Sequence, residues 1–298
     1  MTTLYNIVKI KIITDSSSNL TQELAGKYNI DIIYAYVIID EITYRDDNSI
    51  PPQQFYDLIK KAKSAKTSQP TPNDIFEVIE RNKDYDHLLM VHISEKLSGT
   101  INVVTSTVKK FQKQYPEGPK ITIVDSKGAS VYTSAIAIKA AQLVNKGEKL
   151  ESIIQQIINF RDNDIQNFTT LTNLKHVYRS GRIGKIMYFF ADILNALPIM
   201  SLVDGEIKPV AKEFGLEKAC KRLLEEVWKC YEPDDELFIW VAETIPRKEN
   251  DRFIEMIKNT ETPKIKRVES FYLGNTITCH LGVTALTFVA IRNFDLDN

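Results

Sequence analysis

The segment His87–Ile93 reads HLLMVHI and is apolar at almost every position. A strand of that kind needs cover on both faces, which is the situation of a parallel sheet flanked by helices. Similar segments surround it. Val8–Ile13 alternates or runs apolar and ends in Thr14, Asp15, Ser16 and Ser17, a polar cluster suited to capping a following helix. Ile32–Ile39 is rich in β-branched and aromatic residues and reads as a second strand. Lys120–Val124 is another, ending at Asp125 and Ser126. Helical patterns fall between them. Pro51 and Pro52 open one through Phe55, Leu58 and Ile59, proline being harmless in a first turn. Thr71 has the features of an N-cap, with Pro72 first in the helix and Asp74 in its first turn. Further helices run through Val103, Val104, Val108 and Phe111, and through Ala135, Ile138, Ala141, Leu143 and Val144 up to Gly147. Strands and helices alternating in this way predict βαβ units and a doubly wound α/β sheet.

After about residue 165 the rhythm changes. Phe168–Leu171 is a short strand, and LKHVYRSGRIG is polar and punctuated by glycine. An apolar helix is expected over Lys185–Leu197. Ile199–Val203 and Glu206–Val210 flank Asp204-Gly205, and Asp-Gly suits a type I′ hairpin turn. Lys218–Cys230 predicts a helix with Ala219, Cys220, Leu223, Leu224 and Val227 in one stripe. Leu237–Ala242, Lys264–Ser270 and Asn275–Cys279 read as strands, followed by a last helix near 282–292 that packs back on the first half. The expected division is therefore an α/β domain over 1–165 and a second αβ domain over 166–298.

Composition narrows the function classes. The 298 residues carry 38 Lys+Arg against 39 Asp+Glu, a formal charge of −1. Such a balance lacks the basic field that holds nucleic acid or an anionic membrane, so neither is an expected partner beyond transient membrane contact. The run Ile186–Met200 is interrupted by Asp192, Asn195 and Pro198 and is too short to span a bilayer. The N-terminus reads as a strand rather than a signal peptide. Three cysteines, Cys220, Cys230 and Cys279, show no C-x-x-C spacing. A reduced, cytoplasmic protein without disulfides or zinc is the expectation. GRIGK (181–185) is not a P-loop, and G-x-G-x-x-G, H-E-x-x-H and G-x-S-x-G are all missing. No metal site is expected from His87, His92, His176 and His280.

What remains is a pair of hydroxyl-rich loops. SEKLSGT (94–100) follows a predicted parallel strand at the edge where open α/β sheets bind ligands. Gly99 permits close backbone approach, and Ser94, Ser98 and Thr100 supply neutral donors beside a helix start, a set suited to one carboxylate. Equally, Ser98 serves as a simple cap. TSQPT (67–71) repeats the pattern, and Thr67 and Ser68 precede its turn. His280 reads as an ordinary core or surface histidine or as a ligand group, and Arg182 as a solvent-facing cation or a contact for an acidic partner. The stretch Ile186–Met200 is apolar nearly all round, which requires deep burial or a lipophilic ligand alongside.

KIITDSSSNL (11–20), TSQPTP (67–72), SEKLSGTINVV (94–104), IVDSKGAS (123–130), LKHVYRSGRIG (174–184), LVDGEIKPV (202–210) and, more loosely, CHLGVTAL (279–286) occur together in this order. In these motifs the chain resembles the DegV family of bacterial fatty-acid-binding proteins, whose better-known members are called FakB. The resemblance implies a parallel, Rossmann-like α/β domain joined to an αβ domain with a largely antiparallel sheet. It also implies one long-chain fatty acid in a buried tunnel, with no further cofactor and no catalytic residue. Its carboxylate would be held by Thr67, Ser68, Ser94, Ser98 and His280, with Gly99 and Thr100 beside them. Related members present the acid to a separate ATP-dependent fatty acid kinase that makes acyl-phosphate for phospholipid synthesis, and Arg182 would belong to the kinase-facing surface. The alternatives are a Ser/His-dependent esterase or thioesterase using Ser94 or Ser98 with His280, and a lipid-responsive regulatory protein. The family motif H-x-G-P-G-A-L-G here reads HLGVTALT, so Val283, Thr284 and Thr287 replace Pro, Gly and Gly. This adds bulk that is expected beside the head group. The segment after Asp125-Ser126-Lys127 also lacks the glycines the family often has, so a different chain-length preference is expected.

Overall fold

The computed structural model describes residues 8–172, 177, 180–182, 196–245 and 248–297. Strands β1 (Ile10–Asp15), β2 (Ile30–Ile33), β6 (His87–His92) and β7 (Lys120–Asp125) form a parallel sheet in the order β2-β1-β6-β7. Helices α1 (Gln22–Lys27), α3 (Pro72–Arg81), α4 (Thr100–Gln114), α5 (Val131–Asn145) and α6 (Leu150–Asn163) connect or flank these strands. Every residue of β1 and β6 is buried. One face packs on Ile75, Ile79, Val104, Val108 and Phe111 of α3 and α4, and the other on Ala135, Ile136 and Ile138 of α5. The doubly wound reading is thereby met. Thr71 and Asp74 form the reciprocal capping box that opens α3: Thr71 Oγ1 accepts from the Asp74 N–H, and an Asp74 carboxylate oxygen accepts from the Thr71 N–H at 2.8 Å.

A second sheet runs β10-β9-β8-β13-β11-β12, from β8 (Ile165–Leu171), β9 (Ala196–Val203), β10 (Glu206–Phe214), β11 (Glu236–Glu243), β12 (Lys264–Tyr272) and β13 (Ala285–Arg292). All its pairs are antiparallel except β11 with β12. The β9–β10 turn has positive φ at Asp204 (49°) and Gly205 (79°), as a type I′ turn requires. One face of this sheet packs on α7 (Leu216–Trp228) and α8 (Lys248–Lys258) through Leu223, Val227, Phe253 and Ile257. The opposite face shares a core with α5, in which Leu171, Met200, Trp240 and Val289 join Ala135 and Ile138. Helix α5 is thus enclosed between the two sheets, which explains why 12 of its positions are buried.

Several expectations are corrected. The segment Ile32–Ile39 is two strands, because the chain leaves the parallel sheet at Tyr34–Ala35 and Tyr36–Ile39 (β3) pairs with β4 (Ile42–Arg45) and β5 (Ala65–Ser68). This three-stranded antiparallel sheet, with α2 (Pro52–Lys61) against it, was not foreseen. Asn275–Cys279 is not a strand: Asn275–Leu281 is helix α9, opened by Gly274. The β-branched Thr276, Ile277 and Thr278 argue locally for a strand, but Asp46 accepts a 2.6 Å bond from Thr276 Oγ1 and bonds from backbone N–H groups at that end. The expected last helix near 282–292 is instead β13, a strand between β8 and β11. A strand buried on both faces loses its alternation and resembles a core helix in sequence. The helix expected over Lys185–Leu197 falls largely outside the described residues, and Ala196 and Leu197 at its end belong to β9. Helices α6 and α8 were also unforeseen.

Candidate functional site

In the parallel sheet, β1 connects to β2 on one side and lies beside β6 on the other, so the strand order reverses between β1 and β6. Their carboxyl ends flank the switch point where such sheets place ligands. Asp15 ties them together. One carboxylate oxygen accepts from His92 Nδ1 (2.9 Å) and the Ile93 N–H (3.0 Å), and the other accepts from the Ser17 N–H (3.0 Å). Both side chains are essentially fully buried. This pair was overlooked in the sequence, where Asp15 is a helix-capping candidate and His92 has no role. It fixes Ser17 and Ile93 at the wall of a cavity of about 230 Å³.

The cavity lies between this edge, the N-terminus of α5, the α5-facing side of the six-stranded sheet, the end of β5 and helix α9. Apolar walls come from Ile93, Leu97, Met200, Leu202, Ile207 and Ile277 among others. Thr67, Ser68, Ser98, Thr100, Arg182 and His280 all line it, so six of the residues singled out in the sequence converge on one space. Thr67 Oγ1 lies 2.8 Å from His280 Nε2. Ser98 Oγ lies 2.9 Å from Thr100 Oγ1 and accepts from the Thr100 N–H at the start of α4. Ser68 donates to the Gln69 carbonyl oxygen at 3.3 Å.

Burial, reinforced by the Arg182 charge, lowers the His280 pKa to about 4. The imidazole is neutral at pH 7. Arg182 is exposed, yet it donates to the Leu97 and Ser180 carbonyl oxygens. Among the described residues no carboxylate forms an ion pair with it. An available cation, a neutral imidazole and four hydroxyls lining one cavity can hold a single anion with several donors.

Two residues fall elsewhere. Ser94 is fully buried but does not line the cavity, because its hydroxyl donates to the Gly205 carbonyl oxygen at 2.8 Å and accepts from the Lys96 N–H. It holds the loop after β6 to the β9–β10 hairpin. Gly99 lies behind the lining: a Cβ there would come 2.3 Å from the Gln69 amide nitrogen, so its glycine admits Gln69 to the wall. The partner of His280 is Thr67 rather than Ser94 or Ser98, so the acyl-transfer alternative has no Ser–His contact. The bulk expected beside the head group is displaced too. Val283 packs against Cys279, Val37 and Phe55, and Thr284 accepts from the Thr172 N–H; neither lines the cavity. Thr287 does, bonded to Thr169 at 3.0 Å. Sequence reasoning also missed Ser17, Ser130, Asn167, Thr169 and Thr276. The available signal was polar Asn167 and Thr169 alternating on a strand otherwise suited to the core.

Among the described residues, no group of three or more His, Cys, Asp and Glu could hold a metal ion, and no helix is long and apolar enough to cross a membrane. With this geometry in place, the comparisons decide the family. The model described as "Uncharacterised protein, DegV family" matches residues 9–293. The chain belongs to the DegV family. A DegV domain-containing protein of Listeria monocytogenes is 29% identical over 287 residues, covering 94% of this chain and 98% of the relative. A solved Thermus thermophilus structure, described as fatty acid binding of a DegV family protein, superposes with TM-score 0.87 at 26% identity over 96% of this chain and all of that one. DegV from Bacillus subtilis, described as a fatty acid binding protein, gives TM-score 0.85 at 24% identity over 96% of this chain and all of its own. The DegV fold is therefore shared along nearly the whole chain.

Proposed function

We propose that this DegV protein binds one long-chain fatty acid in the cavity, with the carboxylate at the Thr67–His280 end. The observation that carries this reading is the 2.8 Å Thr67–His280 pair, set beside Ser98, Thr100 and Arg182 at the end of a space walled by aliphatic side chains. The reported fatty acid binding of the Thermus relative supports it. In its Nε2–H tautomer the neutral imidazole donates to Thr67 Oγ1, which frees the threonine hydroxyl to donate onward to a carboxylate. Arg182 supplies the charge that offsets removing the carboxylate from water. Each buried methylene adds about 0.8 kcal/mol, so an acyl chain of ordinary length offsets the remaining desolvation.

The protein acts as a carrier rather than an enzyme and hands the bound acid to a separate ATP-dependent fatty acid kinase for phospholipid synthesis, as FakB members do. Exposure of Arg182 beside the carboxylate end supports a role in that encounter. Mass spectrometry of an organic extract, from protein purified without added lipid, tests the first step. A stoichiometric long-chain acid is expected, and an empty extract with no uptake on incubation would refute binding. Acyl-phosphate formation with a fatty acid kinase and ATP tests the second, and a protein that binds acid but never supports phosphorylation is no kinase partner.

A further inference from the structure

Asp46 follows β4, is 3% exposed and does not line the cavity. Its carboxylate accepts from Thr276 Oγ1 at 2.6 Å, from the N–H groups of Asn275 and Thr276, and from the Ser16 hydroxyl. Its own N–H donates to the Ala35 carbonyl oxygen at 2.9 Å, and the Ala35 N–H donates to Ser16 Oγ at 3.0 Å. One buried residue thus ties the first turn of α9 to the turn after β1 and to the segment between β2 and β3. Each of these carries residues of the cavity wall: Ser17 next to Ser16, Ala35 itself, and Thr276, Ile277 and His280 on α9. Thr276 and His280 are one helical turn apart, on the same face of a helix seven residues long. Whatever fixes the first turn therefore fixes the imidazole in the last. Burial raises the Asp46 pKa to about 6 despite all these donors, so above that pH the charge costs stability rather than adding it. Stability alone does not account for a carboxylate at this position.

Resting on the fatty acid reading above, we propose that Asp46 is the positioning residue of the head-group site: by fastening α9 to the turn after β1, it holds His280 against Thr67 and within reach of the ligand carboxylate. Asp46 touches no ligand atom and acts through α9. What it secures is the 2.8 Å contact between Thr67, on the small antiparallel sheet, and His280. A displacement of α9 by about 1 Å breaks a bond of that length. Burial of an acyl chain by the aliphatic walls changes little over the same distance, because it scales with area and has no direction. Loss of Asp46 therefore falls on the charged head group and spares the chain.

The test measures equilibrium binding of hexadecanoic acid and of hexadecan-1-ol at pH 8, using wild type, Asp46→Asn, His280→Leu and the double variant. Asp46→Asn keeps the size of the side chain but turns one acceptor oxygen into a donating amide, so it cannot accept from Thr276, Ser16 and the helix backbone together. It is expected to weaken the acid tenfold or more and the alcohol less than threefold. In the His280→Leu background the same substitution should change acid affinity less than twofold, because the group it positions is already gone. Ser16→Ala removes a donor on the side of Asp46 away from α9 and should give the same pattern at severalfold size; it carries the test if Asp46→Asn does not fold. Unchanged acid affinity overturns the inference while the carrier reading stands. So do equal losses for acid and alcohol, or losses that add to those of His280→Leu, since either makes Asp46 a purely structural residue. If wild type binds no acid, the fatty acid reading falls and the inference with it.

Discussion

The outer and inner parts of the cavity use the same small set of hydroxyl, amide and imidazole groups on different supports. Outer groups sit on element ends: Thr67 near the end of β5, Ser98 in a loop, Arg182 in an exposed turn and His280 in the last turn of α9. They are half-buried or exposed, and Thr67, Ser98 and His280 already have partners among themselves or their neighbours. Inner groups project from regular structure: Asn167, Thr169 and Thr287 from strand faces, and Ser130 from the cap of an enclosed helix. Among the described residues, the Ser130 hydroxyl and the Asn167 amide have no side-chain partner. Groups on loop ends can trade protein bonds for a head group or water at small cost. Groups fixed inside a core cannot.

The largest effect should come from the outer end. The double variant Thr67→Val with His280→Leu removes two donors from a desolvated carboxylate, each worth about 1.5–3 kcal/mol, so fatty acid affinity should drop 100-fold or more. Calorimetric titration with a plain saturated acid reads it directly. If retention is unchanged, the outer groups do not hold the head group and the contrast between the two parts collapses.

Helix α9 joins the two parts, and its pH response separates them. Burial lowers the His280 pKa to about 4, with help from Arg182. Between pH 4 and 6.5 the unfolded histidine binds a proton that the folded one does not, so its stabilisation is full above pH 6.5 and is lost as pH falls. At the other end of α9, burial raises the Asp46 pKa to about 6, despite bonds from Thr276, Ser16 and the helix backbone that pull it down. Its folded form holds a proton between pH 3.8 and 6, so its stabilisation is lost as pH rises. Each contribution is on the order of 3 kcal/mol and the signs oppose. His280→Gln should therefore lose stability from pH 4 to 6, and Asp46→Asn should gain it over the same interval, by urea midpoints. Parallel slopes in the two variants would show that the ends of α9 are not electrostatically distinct.

Much of the outer end was legible in sequence because its residues lie in short hydroxyl-rich motifs at turn-forming positions. TSQPTP and LSGT announce themselves through proline, glycine and a capping box whose chemistry is local. The inner end was not legible. Asn167 and Thr169 become conspicuous once β8 is known to pair with β13, a strand that reads as a helix when taken alone. The parallel sheet was readable from continuous apolar runs. The three-stranded sheet was not, since β4 and β5 are short and largely exposed and so carry little hydrophobic signal. Helix α9 was misread because tertiary capping by Asp46, more than two hundred positions away, outweighs the strand propensity of its own residues.

A third, smaller effect concerns Gly205. Its φ of +79° disfavours an L-residue, and a Cβ there would meet Ser94 Oγ at 2.4 Å. Gly205→Ala should cost about 1–3 kcal/mol, read as a lower thermal midpoint. An unchanged midpoint would mean that the hairpin is not pinned to the loop after β6.

The finest discrimination lies within that loop, between two serines four positions apart. Ser94 spends its hydroxyl on the Gly205 carbonyl oxygen, outside the cavity, whereas Ser98 lines it. Ser94→Ala should lower stability by about 1 kcal/mol, leaving the buried Gly205 carbonyl short of a donor, with fatty acid affinity unchanged. Ser98→Ala should do the reverse, weakening binding severalfold with little change in thermal midpoint, because Ser98 is half-buried and its bonds are local to the loop. The two variants compared side by side decide which hydroxyl the loop dedicates to the ligand. If Ser94→Ala is the one that weakens binding, then the hairpin bond is broken in the bound form and the loop rearranges around the acid.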